Sequence, residues 1–255
     1  MFESLIYEHN QEEKYITITL NRPEKRNAVS ISLAKELDKA LEMARSITNL
    51  KFLVLTGSGE KAFCSGGDLN DFHGDMSEDE VLELLQPINQ VLVKLFTFPV
   101  PTISILNGHS RGGGCELATA CDFRFAREGT THGFIQGKLG ILPGWGGGAM
   151  LYKRIAPTYA YYWLTSSDVY SVDELNTWGW IQQVYHAGDN LMNDLVKPFL
   201  QKNIKQMQHF KQQYLSQPLL NNLQEQMEQE LKTCAELWVS DEHKKAVDSF
   251  LRKSK

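Results

Sequence analysis

Three scarcities frame this chain of 255 residues. There is no basic surplus: 26 lysines and arginines against 31 acids leave a formal net charge of -5. A nucleic-acid binder needs a reserve of positive charge against phosphates, so that class is excluded; local spots such as Lys25-Arg26 could still meet a small phosphorylated ligand. Cysteine is sparse. Cys64, Cys115, Cys121 and Cys234 form no CxxC pair and no regular framework. Reduced thiols and a cytoplasmic setting are therefore expected. Long apolar runs are missing too. No segment approaches the roughly 18 residues of a membrane helix, so no membrane partner is expected. The start, MFESLIYEHNQEEKY, carries acids and no apolar core, so no signal peptide is expected either. The seven histidines are scattered without HExxH-like spacing, and no metal site is expected.

What is present is an ordinary globular balance of 42% hydrophobic and 22% charged residues. Tyr15 to Leu20 alternates as a half-buried strand does, and Asn21 to Asn27 breaks it with turn chemistry. Ser30 can cap a helix whose apolar face is Leu33, Leu37, Ala40, Leu41 and Ala44. Phe52 to Leu55 reads as a short buried strand leading into a glycine-rich loop that ends near Asp68. Ser77 and Glu80 have capping-box spacing before a second helix, which Pro87 should kink or end. Thr102 to Leu106 is a further strand, Asn107 to Gly114 a tight connection, and Cys115 to Cys121 a small-residue helix. Strand, glycine loop and helix in recurring order predict an α/β fold whose loop backbones face a ligand. From about Leu191 the composition shifts. Ile204, Met207, Phe210 and Tyr214 recur at helical spacing, as do Leu219, Leu223, Met227, Leu231, Cys234 and Trp238. A core region, 1–190, and a helical region, 191–255, are therefore expected, the latter packing on the body or on a neighbouring subunit.

The chemistry concentrates in two loops, Phe63-Cys64-Ser65-Gly66-Gly67-Asp68-Leu69-Asn70 and Asn107 to Leu117, the second holding the triplet Gly112-Gly113-Gly114. Glycine lets backbone N–H groups approach a carbonyl that side chains would otherwise block. A helix amino end adds its positive dipole. One amide from each loop would make an oxyanion hole.

FCSGGDLN at 63–70, GGGCELATACDFRFA at 112–126 and LGILPGWGG at 139–147 resemble, in order and spacing, the signatures of the crotonase (enoyl-CoA hydratase/isomerase) superfamily. LNRPEKRNAVS at 20–30 and LTSSDVYSVDELNTWGWIQQV at 164–184 resemble its flanking blocks, while the tail ending SDEHKKAVDSFLRK only echoes the family pattern. The resemblance implies a spiral of repeated ββα units with a C-terminal helical region, assembled as a homotrimer or homohexamer. It also implies an acyl-CoA thioester substrate, with no cofactor beyond that coenzyme A. The oxyanion amides would be those of Gly67 and Gly113. Gly66, Asp68, Leu69 and Asn70 would touch coenzyme A, as would Lys25, Arg26 and Ala28 near its nucleotide.

Hydratases of this family use two glutamates around the added water. The first corresponds to Glu116; at the second position, seven residues before Pro143, stands Gln136. An amide can orient water but cannot exchange a proton near neutral pH. What remains is enolate stabilisation plus one acid/base. That set suits hydration of a 2-enoyl-CoA with Glu116 as the single catalytic carboxyl, Gln136 assisting. It also suits decarboxylation of a methylmalonyl- or ethylmalonyl-type CoA, and, less well, double-bond isomerisation. His132 and Lys138 are nearby proton carriers, each more often a surface residue than a catalyst. Two readings from other classes stand beside these. Gly108-His109-Ser110-Arg111-Gly112 matches the G-x-S-x-G elbow of a serine hydrolase, with Asp189 and His243 in the right chain order. A non-catalytic CoA-ester binding protein would keep the loops and lose turnover.

Overall fold

The computed structural model describes residues 2–72, 74–186, 188 and 194–253. The chain enters through the hairpin β1 (Leu5–Asn10) and β2 (Tyr15–Leu20), an antiparallel pair. Helix α1 (Ile31–Arg45) follows, with Ser30 capping the Leu33 amide and the expected apolar stripe buried. Such a cap stabilises a helix by about 1 kcal/mol.

Three strand–strand–helix turns then build the body. The first is β3 (Phe52–Gly57), β4 (Ala62–Cys64) and α2 (Glu78–Phe96). The second is β5 (Thr102–Leu106), β6 (His109–Arg111) and α3 (Gly113–Ala120). The third is β7 (Phe123–Arg127), β8 (Thr131–Gly133) and α4 (Gly147–Arg154). In each turn the first strand joins one sheet and the second strand another. The larger sheet has the order β1-β2-β3-β5-β7-β10, where β10 is Gln183–Tyr185, and is parallel from β2 onward. The smaller has the order β4-β6-β8-β9, with β9 (Val169–Ser171) antiparallel to β8. Two helices flank β9 in the chain, α5 (Pro157–Ser166) and α6 (Val172–Thr177). This is the expected spiral of ββα units.

The larger sheet is buried on both faces. Leu53 and Leu55 point into the main core, whereas Phe52 and Val54 join Ile103, Ile105, Phe125 and Met207 in a second cluster. That explains an uninterrupted apolar run where a one-sided strand would alternate. Met207 comes from α8 (Ile204–Leu215), which follows the short α7 (Lys197–Leu200). Lys211 of α8 reaches inward to Asp122 at 2.6 Å and to the Phe96 carbonyl at 2.8 Å. Helix α9 (Leu223–Trp238) buries Leu223, Met227, Leu231 and Cys234 in the main core, and α10 (Asp241–Lys253) closes the described chain.

Some expectations need correction. Pro87 does not end its helix: α2 runs on to Phe96, because the capping box at Ser77 and a buried face from Val81 to Phe96 outweigh one lost backbone bond. Phe210 and Leu219 are exposed, at 52% and 57%, although their spacing placed them on apolar faces. The division expected at 190/191 lies outside the described residues. No helix among the described residues is long and apolar enough to cross a membrane.

Candidate active site

The segment after β2 is sewn to the first glycine loop. Val29 donates its amide to the Gly66 carbonyl at 2.8 Å, and Asp68 returns one to the Val29 carbonyl at 2.9 Å. Arg22 clamps both strands of this seam. One guanidinium nitrogen pairs with the Asp68 carboxylate at 2.7 Å, and another donates to the Ala28 carbonyl at 2.6 Å. Burial works against ionisation of Asp68, but the Asn70 amide and Arg22 overcome it and hold its carboxyl below the usual range. Asp68 and Ala28 are thus buried members of the seam, whereas Lys25, Arg26, Leu69 and Asn70 are exposed beside it. A cavity of about 260 Å³ opens there, lined by Arg26, Asn27 and Lys61 among others.

The second glycine loop meets the first. Gly66 has φ +101, a conformation that glycine alone adopts without strain, and a Cβ there would lie 3.1 Å from the Arg111 carbonyl oxygen and 3.5 Å from the Gly113 nitrogen. Gly112 turns the chain with φ 50 into α3, whose eight residues are all buried. Among the described residues, neither the Gly67 nor the Gly113 N–H donates a hydrogen bond. Two aromatic rings lie on the Cα faces of these glycines. Phe72 would meet a Cβ on Gly67 at 3.1 Å, and Trp145 would meet one on Gly113 at 2.1 Å. The rings are 6.1 Å apart between centroids, and both are buried.

Glu116 sits in the first turn of α3, 2% exposed. Its Oε2 accepts from the amides of Trp145 and Gly147, each at 2.9 Å, and its Oε1 accepts from Gln136 Nε2 at 2.9 Å. Burial pushes its carboxyl up to about 7, against the pull of those donors. Gln136 opens a 3-10 turn, Gln136–Leu139, and its amide faces Gly112. With Nε2 committed to Glu116, its buried Oε1 has no partner. A buried acceptor without a donor costs about 1–3 kcal/mol, so this atom is open to a ligand's N–H or O–H. The structure therefore brings Glu116, Gln136, Gly66, Gly67, Gly112 and Gly113 to one place, and leaves Lys25, Arg26, Leu69 and Asn70 at its margin.

The family model for enoyl-CoA hydratase/isomerase matches residues 10–255. The chain belongs to the enoyl-CoA hydratase/isomerase family. Among relatives of this family, the crotonyl-CoA hydratase of Syntrophomonas wolfei is 33% identical over 72% of this chain and 69% of its own length. The ethylmalonyl-CoA decarboxylase of Xenopus tropicalis is 34% identical over 56% of this chain and 48% of its own. The chain spans roughly half to two thirds of the length of the curated relatives it matches, 59%, 50% and 48% in three cases. In fold it is similar to the solved enoyl-CoA hydratase of Bacillus halodurans, with TM-score 0.87 and 24% identity over 97% of this chain and all of that one.

Against this family frame the hydrolase geometry fails. Ser110 is fully buried and bonds His132 Nδ1 at 2.5 Å; His132 in turn meets Thr130. His243 lies elsewhere, against the Leu139 carbonyl, and Asp189 lies outside the described residues. Burial holds His132 down to about 3, so it is a neutral strut and not the surface group its surroundings in the sequence indicated. Lys138 is exposed and pairs with Asp168. Sequence reasoning missed Glu230, which α9 delivers to the start of α4. Its Oε2 accepts the Ala149 amide at 2.9 Å. Nothing local marks it, since it sits among other Gln and Glu residues at 224–230.

Proposed function

We propose that the chain adds water to a 2-enoyl-CoA thioester. The amides of Gly67 and Gly113 hold the thioester oxygen as it takes up negative charge, which supplies the electrostatic part of catalysis. Glu116, ionised, takes a proton from water as the water oxygen bonds to the β-carbon. The resulting enolate collapses by taking that same proton from Glu116 at the α-carbon, which returns the carboxylate to its starting state. Gln136 holds the water: its free Oε1 accepts one water hydrogen while its Nε2 keeps Glu116 in place. Arg26, Lys25, Ala28, Gly66, Asp68, Leu69 and Asn70 lie along the path of the coenzyme A moiety, and Phe72 with Trp145 forms the acyl wall.

The observation that carries this reading is the pairing of Glu116, poised near neutrality, with an unpartnered acceptor on Gln136. A water has the donor this atom lacks, whereas the carboxylate of a malonyl-type ester does not. Decarboxylation is the second reading, favoured by the absence of a carboxylate at position 136. There the bond to the carboxylate breaks, its electron pair enters the thioester enolate, and a protonated Glu116 supplies the α-proton. Mass spectrometry after incubation with enoyl-CoA and malonyl-type CoA panels separates the two. Gain of water on the enoyl panel supports hydration, and loss of carbon dioxide alone overturns it.

A further inference from the structure

Helix α4 begins on a run of three glycines, and two of them are shut against carboxyl groups from distant parts of the chain. A Cβ on Gly147 would lie 2.2 Å from Glu116 Cγ, and one on Gly148 would lie 2.1 Å from Glu230 Oε1. Glu116 takes the amides of Trp145 and Gly147; Glu230 takes that of Ala149. One turn before Glu230, Met227 closes on Gly146, where its Cε would meet a Cβ at 2.6 Å. We infer that Glu230 is a positioning residue for Glu116: it pins the first turn of α4 at Ala149, beside the Gly147 and preceding Trp145 amides that hold the Glu116 carboxylate, and it competes for the same helix end. The inference rests on the acid/base role given to Glu116 above.

Glu230 is half-buried as a residue, but its carboxyl end is enclosed. Facing it are Glu116 from α3, Tyr152 from α4 and Cys234 from its own helix. No salt bridge reaches it among the described residues. Burial and the Glu116 charge keep it protonated well above the ordinary carboxylate range, with only the Ala149 and Gly148 amides opposing. Once Glu116 has ionised, through a midpoint near 7, the helix end therefore carries one negative charge and Glu230 stays protonated, because two like charges so placed cannot both form cheaply.

The test uses the full chain and the variants Glu230→Ala, Glu230→Gln and Glu116→Gln. Infrared difference spectra across pH should show, in the wild type, a protonated-carboxyl band that persists after the Glu116 band has gone. Glu230→Gln should lack it, and in Glu116→Gln it should disappear at lower pH, since the charge that held the proton is gone. In turnover of crotonyl-CoA, Glu230→Ala should lower kcat about tenfold with KM little changed, through displacement of Glu116. Glu230→Gln, which keeps the acceptor, should recover most of that loss. A Glu230 band that titrates identically with and without Glu116, or full kcat in Glu230→Ala, would overturn the inference. If the wild type turns over no enoyl-CoA, the hydratase reading fails separately and the infrared coupling alone decides this one. The same holds if Glu230→Ala does not fold.

Discussion

The two glycine triplets, 112–114 and 146–148, both open helices, the first wholly and the second half buried, yet their amides have different partners. At the first, the Gly113 amide donates to nothing among the described residues, and the space beside it is walled by a tryptophan ring. At the second, carboxyl groups from Glu116 and Glu230 have already taken the amides of Gly147 and Ala149. The positive end of a helix draws negative charge in either case. On the mechanism proposed above, one triplet keeps that attraction for a reacting molecule, while the other uses it to hold an acid in place. Glycine is needed at both for close approach of the protein's own atoms: a Cβ would meet the Trp145 ring at Gly113 and the Cys64 carbonyl at Gly114, as it would Glu116 at Gly147 and Glu230 at Gly148.

Removing the acid is the strongest way to break this contrast. Glu116→Gln should lower hydration by about 10²- to 10⁴-fold, the usual range for a general acid/base, while CoA-ester affinity measured by calorimetry stays close to wild type. The same variant should be more stable than the wild type. Glu116 has a folded-state value raised from 4.5 to about 7, so folding favours its protonated form. Its contribution is fully present below 4.5 and is lost as pH rises to about 7. The gain from the variant should thus be small at acid pH and reach roughly 3 kcal/mol above neutrality. Thermal unfolding across pH checks it; equal gains at both ends would reject the assignment.

A subtler break is Gly147→Ala, whose methyl group must displace Glu116 Cγ. About 100-fold loss of kcat is expected with the fold retained by circular dichroism, as misplacement of a catalytic group by about an ångström produces. Unchanged kcat would mean that the second triplet does not position the acid.

Much of this was legible before any coordinates. The glycine loops and the α1 stripe stand out because each is a local pattern, readable within a dozen residues, whereas Glu116 and Gln136, 20 residues apart, are paired only through the family resemblance. Glu230 is not local. It meets Glu116 only because α9 packs on α2 and α4, and a single glutamate in a helix rich in Gln and Glu carries no mark of that. The Ser110–His132 strut was hidden for a related reason: adjacent strands β6 and β8 bring together residues 22 apart, so a motif that reads as a nucleophile is an internal brace. Strand β1 escaped notice because its burial alternates weakly, with Leu5 its one buried residue. Phe72 and Trp145 had no reading as a pair, since they meet only across the folded site.

Smaller effects sharpen the contrast. Gln136→Glu should raise hydration severalfold, roughly three- to tenfold, by restoring a second proton-exchanging group. Stopped assays with a short enoyl-CoA measure it, and no gain would favour decarboxylation. Trp145→Phe should relax the acyl wall and raise kcat/KM for longer chains relative to crotonyl-CoA by about two- to fivefold, near the worth of one methylene. An unchanged ratio would place the acyl group elsewhere.

The most direct test follows water addition to crotonyl-CoA by the wild type from about pH 5.5 to about pH 8.5. A base that must be ionised predicts a rate rising with pH through a midpoint near 7, the value to which burial lifts Glu116. A rate that falls through the same midpoint, or no water added at any pH, would contradict the account.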